Sequence, residues 1–380
     1  MARARKRSSR KVRALKAVLA TALLVTVFAA PAAAVPGKFW GVIPQATPSL
    51  EQLQRLKRGG VDSIRVPVVW SGVQPAPNGP MDWSGVDRQF EDAVLAGIEV
   101  LPGLSGVPSW AVPSVFVPGT GRSIKAPRNL PAQGAAGQGW SAFARAAAER
   151  YGPGGSFWTE HPALPPRPPR VWQIWNEPNF LYFVARPNPA EYGRLIKLSF
   201  SALRAVDGGA KLVLGGLFAR PAEATLRRKP PLAYFATDFL DRMYASAPGI
   251  KSKFHGVALH PYTGTFQRLI PYVEEVRTVL KANHDAGKGL WITELGWSSK
   301  RPRRGNSFAK GLAGQKAQLE GAFRLLRAKQ RQWRIQRVYW FSIDDQPGTC
   351  NFCDGSGLFS EGFVPKPSWR AYARFAGGTP

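Results

Sequence analysis

Cysteine and histidine are scarce in this sequence of 380 residues, which has two cysteines and four histidines. The histidines, at positions 161, 255, 260 and 284, do not cluster at the spacing of zinc ligands, and a zinc site built on the two cysteines would need further ligands. The cysteines, Cys350 and Cys353, lie close together, but the βαβ context of a thioredoxin-like redox motif is missing. In an oxidising compartment, such a pair is predicted to close a small loop as a disulfide.

Acidic residues are also few, since 24 Asp and Glu stand against 52 Lys and Arg, giving a formal net charge of +28. The first 16 residues hold eight of the basic side chains and no acid, so their removal from +28 would leave +20. Between positions 300 and 337 there are twelve basic residues and one acid, Glu320. Aromatic residues do not interleave with them in a nucleic-acid-binding pattern, so no nucleic-acid partner is predicted. The excess charge indicates a solvated basic face, with an anionic polymer as the alternative partner.

Long hydrophobic runs are lacking, with a short exception near the N-terminus. Ala17 to Ala30 is apolar, follows the basic first 16 residues and precedes a Pro-Ala-Ala-Ala segment ending at Ala34. This run is shorter than the roughly 20 residues that span a bilayer. The order of segments predicts a signal peptide over residues 1–34 and a secreted, extracellular or cell-surface protein, with an uncleaved N-terminal anchor as the alternative. No second run of membrane length follows, so no other membrane insertion is predicted.

The rest of the chain alternates between short apolar runs and amphipathic segments. Eight apolar runs rich in β-branched and aromatic residues predict strands buried on both faces, over residues 39–43, 63–70, 98–104, 171–176, 211–217, 255–262, 290–297 and 338–343. Eight helical patterns alternate with them, over residues 49–57, 84–96, 139–151, 188–206, 233–246, 271–286, 311–330 and 366–376. This order predicts parallel strands with right-handed crossovers, and therefore an α/β fold in which residues 37–380 form one (β/α)8 TIM barrel. A doubly wound open sheet is the weaker alternative, because no Gly-x-Gly-x-x-Gly segment opens a helix.

Two glutamates stand at the carboxyl ends of predicted strands, where such barrels form their active sites. Glu177 ends the fourth strand, between Asn176 and Pro178, and Glu294 ends the seventh. In a closed barrel these two strands face each other across the mouth. Cleavage of a glycosidic bond needs two carboxyl groups, one that protonates the leaving oxygen and one that attacks the anomeric carbon. Pro178 stops the strand, so Glu177 is predicted to stay at the rim of the cavity.

Five further side chains are predicted to complete this site. Asn176 is placed to bind a sugar hydroxyl next to the reacting carbon. Tyr262 and Arg65 are predicted to keep Glu294 charged and oriented. Trp340, on the eighth strand, is predicted to offer a flat apolar platform to a sugar ring, and His260 stands at the end of the sixth.

The segments WNEP, ending at Pro178, and TELGW, ending at Trp297, resemble motifs of the retaining (β/α)8 glycoside hydrolases with catalytic glutamates on strands four and seven. Families 5 and 39 are the most similar in this clan. The resemblance implies a double-displacement mechanism with Glu177 as acid/base and Glu294 as nucleophile, and neither a cofactor nor a metal. Family 5 implies eight site residues, of which seven match here: Arg65, Asn176, Glu177, His260, Tyr262, Glu294 and Trp340. The eighth, a histidine after strand three, is missing, and that region has Gly103 and Trp110 instead.

These motifs predict a secreted glycosidase that cleaves O-glycosidic bonds of a polysaccharide or oligosaccharide. An anionic substrate is one option, because four basic residues follow strand seven at the mouth, namely Lys300, Arg301, Arg303 and Arg304. Two alternatives remain: a transglycosidase, in which a sugar hydroxyl intercepts the covalent intermediate, and a catalytically silent sugar-binding or surface-interaction barrel. The intact pair of glutamates favours the enzyme, since a silent barrel usually loses one of them.

Overall fold

The computed structural model describes residues 37–117, 124–229, 231–348 and 353–380. The predicted signal peptide, residues 1–34, lies outside the described residues. So does Cys350, one partner of the predicted disulfide with Cys353. None of the helices in the described part of the chain combines the length and the apolar character needed to cross a bilayer.

Among the described residues, eight parallel strands form a central sheet. In chain order, β1 to β8 are Trp40–Ile43, Ser63–Val69, Glu99–Ser105, Val171–Ile174, Lys211–Leu214, Gly256–His260, Gly289–Leu295 and Ile335–Phe341. Each strand pairs with the next, and β8 pairs with β1, with Trp40 opposite Val338. The sheet is therefore closed, which confirms the predicted (β/α)8 barrel and excludes the doubly wound open sheet.

In the described part of the chain, eight helices of at least nine residues surround the barrel. In chain order, α1 to α8 are Leu50–Arg58, Ser84–Leu95, Gly134–Tyr151, Pro189–Val206, Ala236–Ser246, Leu269–Ala282, Gly311–Ala328 and Pro367–Ala376. Two of them begin at clear capping signals: Ser49 and Gln52 form a capping box for α1, and Asn188 caps α4 just before Pro189. Helix α3 begins five residues before its predicted start at position 139, through a glycine-rich segment. A Cβ added at Gly139 would lie 2.8 Å from the Trp70 ring, so glycine allows this close packing.

Shorter elements lie in the segments that connect these strands and helices. An antiparallel hairpin pairs Ser114–Val117 with Ile124–Pro127, and a second pairs Phe359–Ser360 with Val364–Pro365. Leu217–Phe218 extends the sheet after β5 by pairing with β6. One-turn helices occupy Trp70–Val73, Ser156–Glu160, Glu223–Leu226 and Gln330–Trp333, and 3-10 turns occupy Ile250–Lys253, Phe266–Arg268, Cys353–Gly355 and Glu361–Phe363.

Two layers of core fix the positions of the strand ends. Inside the barrel lie Ile43, Leu101, Val213, Ala258, Trp291 and Tyr339. Trp291 fills the space over Gly256, where a Cβ would lie 1.9 Å from its ring. Between the barrel and the helices lie many fully buried tryptophans, including Trp140, Trp172, Trp297, Trp340 and Trp369. Because successive side chains of a strand alternate between these two layers, the alternation decides which residues reach the cavity at the mouth.

Candidate active site

The backbone turns sharply at the end of β4 to present Glu177. Trp175 and Glu177 both have left-handed backbone conformations, with φ of 71° and 41°. Non-glycine residues rarely adopt this region, and such residues cluster at functional sites. The Trp175 N–H donates to the Leu104 carbonyl at 2.7 Å, and the Phe180 N–H donates to the Glu177 carbonyl at 2.9 Å. These backbone bonds fix the turn that carries Glu177, whose side chain is buried at the carboxyl-terminal end of the barrel.

A bulge in β7 presents Glu294. Ile292 pairs with Val338 and Leu295 with Trp340, so β7 has one residue more than β8 between these pairs. Trp291 lies inside the barrel, whereas Leu295, four residues later, lies in the outer core, so the alternation is reversed between them. Counted from Trp291 without this reversal, Glu294 would face away from the interior. The extra residue turns it toward the mouth, as bulges beside active sites do.

Glu294 accepts hydrogen bonds on both carboxylate oxygens. The Arg65 guanidinium donates from Nη1 to Oε1 at 2.6 Å, and the Tyr262 hydroxyl donates to Oε2 at 2.7 Å. Arg65 Nη2 also donates to Asn176 Oδ1. A cation and a hydroxyl donor stabilise the negative charge of Glu294 and fix its orientation. The structure thus brings Arg65, Tyr262 and Asn176 together around Glu294.

Glu177 has a different environment from Glu294. Burial and then the negative charge of Glu294 hold the pKa of Glu177 well above its usual range, against the opposing effect of Arg65. Its Oε1 lies 2.7 Å from His260 Nδ1. Burial, and then the positive charge of Arg65, hold the pKa of His260 well below its usual range. The imidazole is therefore neutral, and the raised pKa suits Glu177 to carry a proton.

A buried chain of hydrogen bonds reaches both ring nitrogens of His260. Gln173 Nε2 donates to Thr293 Oγ1 at 3.2 Å, and Thr293 Oγ1 lies 3.0 Å from His260 Nε2. Thr293 Oγ1 accepts from Gln173 and can donate its own hydrogen to His260 Nε2 when the ring proton is on Nδ1. In that tautomer Nδ1 donates to Glu177 Oε1, and Oε2 is the oxygen left to hold the proton of the acid.

The space for His260 depends on a glycine that the sequence patterns do not single out. A Cβ added at Gly216 would lie 1.8 Å from His260 Nε2, so any side chain there would displace the imidazole. Gln173, Thr293 and Gly216 were all absent from the predicted site. Their contacts join four parts of the barrel: β4, β6, β7 and the segment that follows β5. Because these parts are distant in sequence, no local sequence pattern predicts such contacts.

Trp340 is not where the sequence predicted it. It is 0% exposed, lies between β8 and the helices, and donates from Nε1 to the Ser356 carbonyl at 3.0 Å. Tyr339 and Phe341 are its neighbours on the strand, and they face the interior. Phe341 lines the cavity in its place. The prediction of Trp340 as a sugar platform was therefore wrong, because it placed the platform on the wrong face of β8.

The two carboxyl groups open into a large cavity of about 1180 Å³ at the mouth of the barrel. Its walls are rich in aromatic rings, among them Phe180, Phe183, Phe218, Phe308 and Phe341. Gly103, which stands near the place expected for the missing histidine, is also part of the wall. Of the four basic residues predicted at the mouth, Arg303 and Arg304 line the cavity, whereas Lys300 pairs with Asp354 at 3.4 Å.

Glu177, His260 and Glu294 each present one donor atom, and these atoms lie within 4.8 Å of one another. Such a group could bridge a metal ion. However, Glu294 already binds the Arg65 cation and the Tyr262 hydroxyl, and Glu177 is suited to hold a proton. Acid–base and nucleophilic chemistry fits these contacts better than metal binding.

A closed (β/α)8 barrel that holds two carboxyl groups with different neighbours in a cavity at its carboxyl-terminal mouth has the form of a glycosidase. The sequence matches the family described as glycosyl hydrolase catalytic core over residues 162–372, more than half of the chain. The chain therefore belongs to the glycosyl hydrolase catalytic core family. No curated protein matches it in sequence.

Solved structures of glycosidases share the fold. A family 39 glycoside hydrolase from the gut symbiont Bacteroides cellulosilyticus is 19% identical, with a TM-score of 0.63 over 90% of this chain and 65% of that one. A monomeric β-xylosidase from Caulobacter crescentus is 18% identical, with a TM-score of 0.60 over 90% and 69%. An intracellular xylanase from Thermoanaerobacterium saccharolyticum is 13% identical, with a TM-score of 0.58 over 88% and 94%. The chain thus spans less than two thirds of the length of the family 39 enzyme.

Proposed function

We propose that this protein is a retaining glycoside hydrolase with Glu177 as acid/base and Glu294 as nucleophile, acting on O-glycosidic bonds of a carbohydrate. The observation that carries the proposal is the different environment of two neighbouring carboxyl groups. One oxygen of each lies within 4.8 Å of the other, which fits the roughly 5–5.5 Å spacing of retaining enzymes better than the wider spacing of inverting ones. The pKa of Glu177 is raised, and Glu294 binds a cation.

The reaction has two displacements. In the first, Glu294 attacks the anomeric carbon while the proton of Glu177 passes to the glycosidic oxygen, so an alcohol leaves and a glycosyl ester forms. In the second, the Glu177 carboxylate takes a proton from water, whose oxygen attacks the anomeric carbon and releases Glu294. Esterification removes the negative charge of Glu294, which lowers the pKa of Glu177 and prepares it to act as the base.

The neighbouring groups support these roles. Tyr262 and Arg65 orient the attacking carboxylate, and His260 holds Glu177 in position. The Asn176 carbonyl oxygen accepts from Arg65, so its amide NH2 is the part suited to bind a hydroxyl of the sugar. The xylosidase and xylanase with the same fold suggest pentosides as the first sugars to test.

Retention is the direct test of this proposal. Purified protein is screened on aryl glycosides of common sugars, and the product of the best substrate is followed by NMR. The first product formed should have the anomeric configuration of the substrate, before mutarotation mixes the two forms. An inverted first product would contradict the assignment of Glu294 as a nucleophile.

We also propose that residues 1–34 direct secretion, because a basic segment, a short apolar run and small residues follow one another there. The measurement is the intact mass of exported protein, which should correspond to a chain that begins near Val35. A full-length chain retained in the membrane fraction would instead identify the segment as an anchor.

We further propose that the substrate is anionic. Arg303 and Arg304 are exposed, line the cavity and carry positive charge that can steer and bind a carboxylate or sulfate group. The double change Arg303→Ala with Arg304→Ala should lower kcat/KM on a uronate-containing or sulfated substrate by roughly tenfold at low salt. Raising salt to about 0.5 M should remove most of that difference, because screening becomes short-ranged.

Arg324→Ala is the matched control for charge, since Arg324 lies on the outer helix α7 and is exposed. It should leave kcat/KM on both neutral and anionic substrates close to the wild-type values. The contrary result is a wild type that prefers neutral substrates, with rates that change neither with salt nor with the double substitution. That result would show that Arg303 and Arg304 do not contribute to substrate binding.

A further inference from the structure

We infer that the leaving group of the substrate is apolar and aromatic, and that Phe180 and Phe218 form the surface that receives it. The inference rests on the proposed function, since it takes Glu177 as the acid that protonates the leaving oxygen. It assigns the part of the cavity beside Glu177 to the aglycone, the group that departs with that oxygen.

The two rings line the same cavity as the acid and follow strands that end beside it. Phe180 follows Glu177 by three residues and donates its backbone N–H to the Glu177 carbonyl at 2.9 Å. Phe218 follows β5, and its ring stacks on that of Phe180 with centroids 4.9 Å apart and planes 11° apart. Both rings and Glu177 line the same cavity. An alcohol oxygen protonated by Glu177 therefore leaves into the cavity that this pair of rings lines.

The wall around the pair offers apolar contact over a continuous area. Phe183, which is 37% exposed at the mouth, lies in the same loop as Phe180. Ile124 and Pro127 of the first hairpin line the cavity on this side. The Tyr182 ring, 4.6 Å from that of Phe180, adds the one hydroxyl of this group.

This composition favours an aromatic aglycone over a sugar. The apolar face of a sugar can also stack on these rings, but the hydroxyl groups around the edge of the sugar would each need a partner to replace the hydrogen bonds lost from water. The side chains of Phe180, Phe183 and Phe218 cannot donate or accept such bonds. An aromatic ring loses little on leaving water and gains stacking contacts with the two phenylalanines.

Asn179 holds the aromatic pair in place without any ligand. Its side chain is buried, donates from Nδ2 to the carbonyls of Phe218 and Tyr234 at 2.8 Å each, and accepts the Phe218 N–H on Oδ1 at 2.9 Å. These three bonds join the loop after β4 to the segment after β5. The surface is thus preorganised, which lowers the entropy lost when a flat group binds against the rings.

The test separates two effects on kcat/KM: the contact of the aglycone with the rings, and the acidity of the leaving alcohol. Methyl and phenylethyl glycosides of the sugar identified by the aryl screen are compared, because their leaving alcohols have similar acidity. Wild-type kcat/KM should be higher for the phenylethyl glycoside by at least roughly tenfold, from burial of the extra ring. Phe180→Ala and Phe218→Ala should each lower this ratio by roughly tenfold, and Phe180→Leu and Phe218→Leu by less, because leucine keeps part of the apolar contact.

Phe116→Ala is the control, since Phe116 lies on the same hairpin as Ile124 but is 69% exposed and outside the cavity wall. It should leave both kcat/KM values and their ratio unchanged. A wild-type ratio near one, or a ratio that the leucine and alanine variants do not move, would overturn the inference while hydrolysis itself persists. Absence of turnover on every aryl glycoside and glycosyl fluoride would instead overturn the proposed function.

Discussion

Glu294→Gly should lower hydrolysis by a factor on the order of 10⁴ or more, because no other side chain can form the glycosyl ester. The space that the side chain leaves beside Arg65 and Tyr262 suits a small anion. Added azide or formate should therefore restore consumption of an activated aryl glycoside, and the glycosyl azide formed should have inverted configuration. Kinetics with and without azide, together with NMR of the product, measure both effects.

Glu294→Gln is the matched variant for this experiment. It should be as inactive as Glu294→Gly, but azide should not rescue it, because the amide still fills the space beside Arg65 and Tyr262. Comparison of circular dichroism spectra with wild type verifies the fold of both variants. Residual activity in Glu294→Gly above one hundredth of wild type, or equal rescue of both variants, would refute Glu294 as the nucleophile.

Glu177→Ala should have an effect that depends on the leaving group. With an alkyl glycoside, whose oxygen must be protonated as it leaves, kcat/KM should fall by about 10²–10⁴. With a dinitrophenyl glycoside, whose leaving group needs little protonation, the first displacement should remain close to wild type. Steady-state and pre-steady-state rates over a series of leaving groups measure this difference.

The pH profile gives a second measure of Glu177. Burial, and then the charge of Glu294, raise its pKa, so the acid stays protonated above the usual range of a carboxyl group. Wild-type kcat/KM should fall as the pH rises through that raised pKa, because the proton needed for the first step is lost. Glu177→Ala should lack this high-pH decline. The same leaving-group dependence and pH profile in the Glu177 and Glu294 variants would mean that the two roles are assigned wrongly.

Much of the barrel and of its catalytic pair can be predicted from the sequence, because both depend on short-range patterns. Apolar runs alternating with amphipathic segments give the eight βα units, and a polar group after an apolar run marks a strand end. Glu177 and Glu294 were located in this way, and the structure brings them together with Arg65, Asn176, His260 and Tyr262.

Other parts of the site depend on how strands twist and pair. Side chains on β8 alternate between the two faces of the strand, so Tyr339 and Phe341 face the interior and Trp340 faces the helices. The prediction for Trp340 did not take this alternation into account. Glu294 reaches the mouth through a bulge that becomes visible when β7 is paired with β8. The chain from Gln173 through Thr293 to His260 joins three strands, and the early start of α3 depends on the fit of Gly139 against Trp70. Each of these is a contact between segments distant in sequence.

The left-handed backbone at Trp175 and Glu177 limits how this chain can evolve. Each such residue costs about 1–3 kcal/mol, which the rest of the fold must offset. Glycine would relieve the strain at either position. Selection for thermostability would therefore favour glycine at position 177, whereas the proposed chemistry requires glutamate there. Glu177 therefore persists through selection for turnover rather than for folding, and a descendant released from that selection would be expected to lose this glutamate early.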